Sequence, residues 1–100
     1  MGVKLIDNNL PTKYSLEQNY PNPFNPTTVI RYSILAESEQ DVTLKVFDLL
    51  GQEVATLVNE VQKSGTYEVE FEANKLTSGI YIYTLQSNGL LQSRKMMLVK

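Results

Sequence analysis

The sequence predicts an all-β fold, an antiparallel β-sandwich of about seven strands in two sheets. Three observations predict it. Apolar residues alternate with polar ones in several short runs, the signature of strands with one wet face. Clusters rich in Asp, Asn, Ser and Gly separate those runs at the spacing of an all-β domain. And 100 residues, 42% hydrophobic and 20% charged, are enough for one domain with its own core.

Along the chain, residues 1–13 carry no periodicity and read as a linker joining this domain to something before it, with the domain proper at 14–100. Met1-Gly2 has the look of a start-codon scar. Pro21, Pro23 and Pro26 then fix φ and remove three backbone donors, which excludes helix and central strand over 19–27. That segment predicts a stiff crossing loop with Tyr20 and Phe24 as buried pegs. Ile30, Tyr32 and Ile34 alternate with Arg31 and Ser33, and Val42, Leu44 and Val46 with Thr43 and Lys45. Asp48-Leu-Leu-Gly51 supplies a turn, with an Asp that bonds its own backbone and a Gly that tolerates positive φ.

The next segment is ambiguous. Val54, Leu57, Val58 and Val61 fit a helix face, but strand-like neighbours favour a strand over 52–58 followed by a loop. Tyr67, Val69 and Phe71 alternate with Glu68, Glu70 and Glu72. In 80–85 both phases are apolar, Ile80 and Ile82 against Tyr81, Tyr83 and Leu85, so this strand is expected to be central and covered on each face. Met96 to Val99 read the same way, after the hairpin dipeptide Asn88-Gly89. The expected core is Ile30, Tyr32, Leu44, Val46, Val69, Phe71, Tyr81 and Tyr83.

The chain has no Cys, His or Trp. Ser-His-Asp and Cys-His catalysis, thiolate or imidazole metal sites and disulfides are therefore excluded. No stretch is long and apolar enough to span a membrane, and no secretory signal opens the sequence. Net charge is −2, distributed as +1 over residues 1–36, −7 over 37–72 and +4 over 73–100. With so few bases and no basic–aromatic cluster, nucleic acid is a poor partner. The basic tail is expected to pair with the acidic middle across neighbouring strands.

Carboxylates remain as candidate chemistry. Glu68, Glu70 and Glu72 line one strand face about 7 Å apart, a spacing glycosidase pairs also show. A row of acids on a solvent face is also the ordinary way to keep a sheet soluble, and that reading is preferred. Asp41 and Asp48 are weak calcium ligands at best, because no Asp-x-Asp-x-Asp loop accompanies them. The Tyr and Phe residues fall mostly on inward phases, so they read as core rather than as a sugar-binding platform. No cofactor, metal or catalytic residue is expected, and the chain is read as not an enzyme.

Five separated motifs occur in order: Tyr14-x-Leu16-x-Gln18-Asn-Tyr-Pro-Asn-Pro-Phe-Asn-Pro-Thr-Thr28 after Leu10-Pro-Thr12; Val42-x-Leu44-x-Val46-Phe-Asp48-x-x-Gly51-x-x-Val54; Gly65-x-Tyr67; Leu76-x-Ser78-Gly79-Ile-Tyr81-x-Tyr83; and Lys95-Met-Met-Leu-Val-Lys100. Together they resemble the type IX secretion system C-terminal sorting domain, type A, over roughly residues 10–100. The proline-rich opening also resembles the Ig-like domain of flagellar hook-capping proteins. The Lys-rich last motif favours sorting.

The resemblance implies an Ig-like sandwich that acts as an export address for a larger protein. Its partners would be outer-membrane translocon components and a sortase-like peptidase. The passenger would transit the periplasm of a Gram-negative bacterium, to be secreted or attached at the cell surface. Structural or adhesive Ig-like service and carbohydrate binding remain the alternatives. The resemblance makes Pro21, Asn22, Pro23, Asn25, Pro26, Asp48, Gly51, Gly79 and Tyr81 structural motif positions. It makes Lys95, Met96, Leu98, Val99 and Lys100 the candidate recognition residues. The last strand is expected at a sheet edge, open to strand addition by a receptor, and such an edge allows a homodimer.

Overall fold

Strand alternation decides which side chains turn inward, and in the computed structural model, which describes residues 2–7, 11, 13–35 and 39–100, it builds a two-sheet sandwich. Eight strands form among the described residues: β1 (Val3–Asp7), β2 (Ser15–Leu16), β3 (Thr27–Ile34), β4 (Gln40–Phe47), β5 (Glu53–Gln62), β6 (Gly65–Glu72), β7 (Gly79–Ser87) and β8 (Leu90–Leu98). They make two four-stranded sheets, ordered β1-β6-β3-β2 and β5-β4-β7-β8. Every neighbouring pair is antiparallel. The Leu10 and Thr12 positions of the opening motif, like Met1, lie outside the described residues.

All eight residues expected in the core are buried there. Between the sheets the Tyr32 and Tyr67 rings stack with centroids 5.6 Å apart, and Phe24 tilts against Phe71 at 6.1 Å. Buried hydroxyls need partners, and these find them. The Tyr67 hydroxyl donates to the Lys63 carbonyl and that of Tyr81 to the Thr77 carbonyl, each at 2.7 Å and four residues upstream. Such tyrosine corners are at home in Ig-like sandwiches. Tyr32 donates to Gln62 Oε1 at 2.9 Å.

The ambiguous segment is one continuous strand, longer than expected. Two β-bulges explain its helix-like spacing. Val58 faces Leu44 but Thr56 faces Lys45, and Ala55 faces Val46 but Glu53 faces Phe47. Leu57 and Val54 are thus the extra residues, and each one resets the phase of alternation.

Four expectations need correction. Residues 3–7 were expected in the linker, yet they form β1, an edge strand in register with β6 from Val3 opposite Val69 to Asp7 opposite Thr66. An edge strand that leaves most of its side chains in solvent shows no burial alternation to read. Second, the strand at 80–85 is central but covered on one face only: Ile80 is 37% exposed and Met97, its partner on β8, 41%. Third, Tyr20 is no peg, being 81% exposed, whereas Phe24 is 2% exposed. Fourth, among the described residues the basic tail makes no ion pair with the acidic middle. The neighbour of β8 is β7, which carries no charged residue, and the acids of β6 belong to the other sheet. Ion pairs form instead between Arg31 and Glu68 (2.9 Å) and between Lys45 and Glu53 (3.1 Å).

Candidate functional site

The proline-rich loop and the C-terminal strand are far apart in sequence and adjacent in space. The Phe24 N–H donates to the Met97 carbonyl at 2.9 Å, and the Val99 N–H to the Phe24 carbonyl at 3.0 Å. Asn22 Oδ1 accepts the Met97 N–H at 2.9 Å, and Gln18 Nε2 donates to the Lys95 carbonyl at 2.7 Å. The Arg94 guanidinium reaches the Leu16 carbonyl. The edge-facing backbone groups of β8 from the Lys95 carbonyl to the Val99 N–H are therefore already engaged. This overturns the expectation of an edge open to strand addition there. A strand whose edge is occupied by its own chain cannot receive a guest without displacing it.

Why the loop holds its place follows from its residue types. Three prolines restrict the chain, and the Tyr20–Pro21, Asn22–Pro23 and Asn25–Pro26 peptides are cis. Tyr20 and Val29 exchange two backbone hydrogen bonds, at 3.0 and 2.9 Å. Asn19 lies beneath, 2% exposed. Its Nδ2 donates to Thr28 Oγ1 at 3.0 Å and to the Pro21 carbonyl at 3.1 Å, and its Oδ1 accepts from Gln18. Burial pushes the Tyr83 hydroxyl pKa up, while the bond from the Asn19 backbone pulls the other way. That hydroxyl donates to the Glu17 carbonyl at 2.7 Å.

The residues singled out from the sequence divide into three groups. Lys95, Val99 and Lys100 reach the surface, with Lys100 Nζ donating to the Asn74 carbonyl at 2.7 Å. Met96 and Leu98 are each 1% exposed and fill the core, so a partner of the folded domain does not touch them. Met97, which sequence reading passed over, is the apolar side chain this strand shows to solvent between Lys95 and Val99. Simple alternation from Lys95 was the signal that pointed to it.

The third group is structural. Pro21, Asn22, Pro23 and Asn25 are exposed on the loop, and the Pro26 carbonyl accepts the Ala73 N–H at 2.9 Å. Asp48 Oδ1 accepts the N–H groups of Leu50 and Gln52, both at 2.9 Å, and Gly51 adopts φ +86°, closing the β4–β5 turn. Gly79 opens β7, and the Tyr81 ring, 6% exposed, fills the core beneath it. Sequence reading also missed Asn19 and Gln18. A buried Asn inside a proline-rich run carries no pattern that separates it from an exposed one.

What this arrangement can do is present a fixed surface. Lys95, Met97, Val99 and Lys100 stand on β8 and just beyond it, with Asn22, Pro23 and Tyr20 on the loop alongside. Its backbone is tied down on both sides, so recognition there costs little ordering. The family described as "Secretion system C-terminal sorting domain" matches residues 18–100. No curated protein and no solved structure shows a significant match to the chain.

Proposed function

The chain belongs to the secretion system C-terminal sorting domain family, and from that premise we propose that it is a non-catalytic sorting signal, read as a folded unit by the type IX outer-membrane translocon. Its passenger crosses the outer membrane, after which a sortase-like peptidase removes the domain and the passenger is released or held at the cell surface. The observation that carries this reading is the clasp between loop and β8. It joins the opening and closing motifs of the family into one surface through Asn22, Phe24, Met97 and Val99. The recognition residues on that surface are Lys95, Met97, Val99 and Lys100. Met96 and Leu98 support them from the core.

The test is a signal-peptide-bearing reporter fused to this domain, in a host with the translocon. Lys95→Glu with Lys100→Glu reverses the charge of the surface and shifts stability by no more than about 0.5 kcal/mol per site. The expected result is normal melting with the reporter retained in the periplasm. Export at the unaltered rate would remove the two lysines from the signal.

A further inference from the structure

The outer face of the β5-β4-β7-β8 sheet carries a row of residues in direct register. Glu53 on β5 stands opposite Phe47 on β4, Phe47 opposite Ile82 on β7, and Ile82 opposite Lys95 on β8. The adjacent inward positions Val46, Tyr81, Tyr83 and Met96 are buried, which fixes this row as outward. It reads acid, apolar, apolar, base. Beside it Ile80 and Met97 form a second apolar pair, 37% and 41% exposed. Beyond β4, Leu49 and Leu50 stand 64% and 86% exposed at the turn. A contiguous apolar face of this kind marks an interaction surface.

We propose that this face pairs with a second copy of the same chain, face to face. The row is its own complement. A half-turn about an axis parallel to the strands lays β8 of one copy over β5 of the other, and β7 over β4. Lys95 then meets Glu53 of the partner subunit at both ends, and Ile82 meets Phe47 of the partner subunit twice between them. The interface is isologous, as a closed dimer requires. A half-turn about an axis across the strands would set Lys95 against Lys95 of the partner subunit and Glu53 against Glu53 of the partner subunit. Charge therefore selects one orientation.

Glu53 also argues against an anionic lipid surface as the occupant, because it sets a carboxylate in the same row as the apolar residues. Within one copy Glu53 already pairs with Lys45 at 3.1 Å, so in the dimer it sits between two ammonium groups. Pairing through the β8 edge, the route expected from sequence, is closed from Lys95 to Val99 by Asn22 and Phe24. Four strands about 4.8 Å apart make a face about 15 Å wide. That is at the small end of specific interfaces, so the dimer is weak and concentration-dependent.

Sedimentation velocity over a hundredfold range of concentration, up to about 1 mM, tests the proposal. The unaltered chain is expected to rise from monomer to dimer mass across that range. Glu53→Lys and Lys95→Glu, each alone, should weaken association at least tenfold, because each sets two like-charge contacts into the interface. An equimolar mixture of the two variants should associate again, since the chain with two bases meets the chain with two acids. Met97→Asp should lower association without touching either end of the row. A chain that stays monomeric at the highest concentration overturns the proposal. So does a mixture that stays monomeric while the unaltered chain dimerises. Glu53→Lys leaves Lys95 and Lys100 in place, so export of a Glu53→Lys fusion separates self-association from recognition by the translocon.

Discussion

The hydroxyl of Tyr83, on a central strand of one sheet, accepts the backbone N–H of Asn19, in the loop beside the other sheet, at 2.8 Å. The same hydroxyl donates to the Glu17 carbonyl at 2.7 Å. One phenol thus fixes the entry of the proline-rich loop, which then reaches Met97 and Val99 through Asn22 and Phe24. The core and the candidate recognition surface are mechanically one unit.

Tyr83→Phe keeps the ring and deletes both bonds. The Asn19 N–H is then left buried without a partner, a loss of about 1–3 kcal/mol. Thermal unfolding should show that loss. Amide hydrogen exchange should speed up first at Asn19 and Tyr20, while β3 and β6 keep their protection. Uniform loosening of all strands would mean that Tyr83 supports the core rather than the loop.

Three of the six tyrosines make the domain sensitive to alkali. Burial raises the pKa of Tyr32, Tyr67 and Tyr83 above the ordinary phenol value. A group with a raised folded pKa binds its proton more tightly when folded. Its contribution is complete below the unfolded pKa of about 10 and is lost as pH rises beyond it toward the folded value. Stability should therefore be flat in pH on approach to about 10 and fall steeply above it. Tyr32→Phe should blunt the fall, which chemical denaturation at stepped alkaline pH measures.

How much of this was legible follows from which residues report their surroundings. Alternation placed Ile30, Tyr32, Leu44, Val46, Val69, Phe71, Tyr81 and Tyr83 inside, because period two maps directly onto the faces of a strand. It misled for Ile80, Ile82 and Met97, since an apolar residue on the outward phase looks the same whether covered or bare. It was silent on β1, whose side chains are mostly in solvent, and scrambled at Val54 and Leu57, where bulges shift the phase. Of the candidate recognition surface, the motifs at 18–28 and 95–100 were readable one by one. Their union was not, because the clasp runs largely through backbone atoms of Phe24, Met97 and Val99, which leave no trace in side-chain identity.

Gly65 tests the packing of β1. A Cβ there would lie 2.9 Å from Leu5 Cδ1 and 3.0 Å from the Asp7 carbonyl oxygen, and Gly65 holds φ +157°. Gly65→Ala crowds β1 at the Asp7 carbonyl, which must give by a few tenths of an ångström, while the exposed end of Leu5 can rotate aside. The expected cost is about 1–3 kcal/mol, with amide protection lost at Val3 to Asp7 before any other strand. A variant in which β1 exchange is unchanged would show that the Leu5 side chain and the Asp7 carbonyl absorb the added methyl without loosening the strand.

Phe24 and Tyr20 separate support from display on the same loop. Phe24 is 2% exposed, packs against Phe71 and lends its backbone to Met97 and Val99. Phe24→Ala should cost about 3–5 kcal/mol, as for a large aromatic removed from a core. It should also raise amide exchange at Met97 and Val99, whose β8 edge the loop would then release. Tyr20 is 81% exposed and, among the described residues, is bonded through its backbone alone, to Val29. Tyr20→Ala should therefore change stability by no more than about 0.5 kcal/mol. Its effect on export is then informative. Aromatic residues held rigidly at a surface are frequent anchors of protein interfaces. A Tyr20→Ala fusion that melts normally but exports poorly extends the recognition surface from β8 onto the loop. Export at the unaltered rate confines it to Lys95, Met97, Val99 and Lys100, with the loop serving only to hold that strand in place.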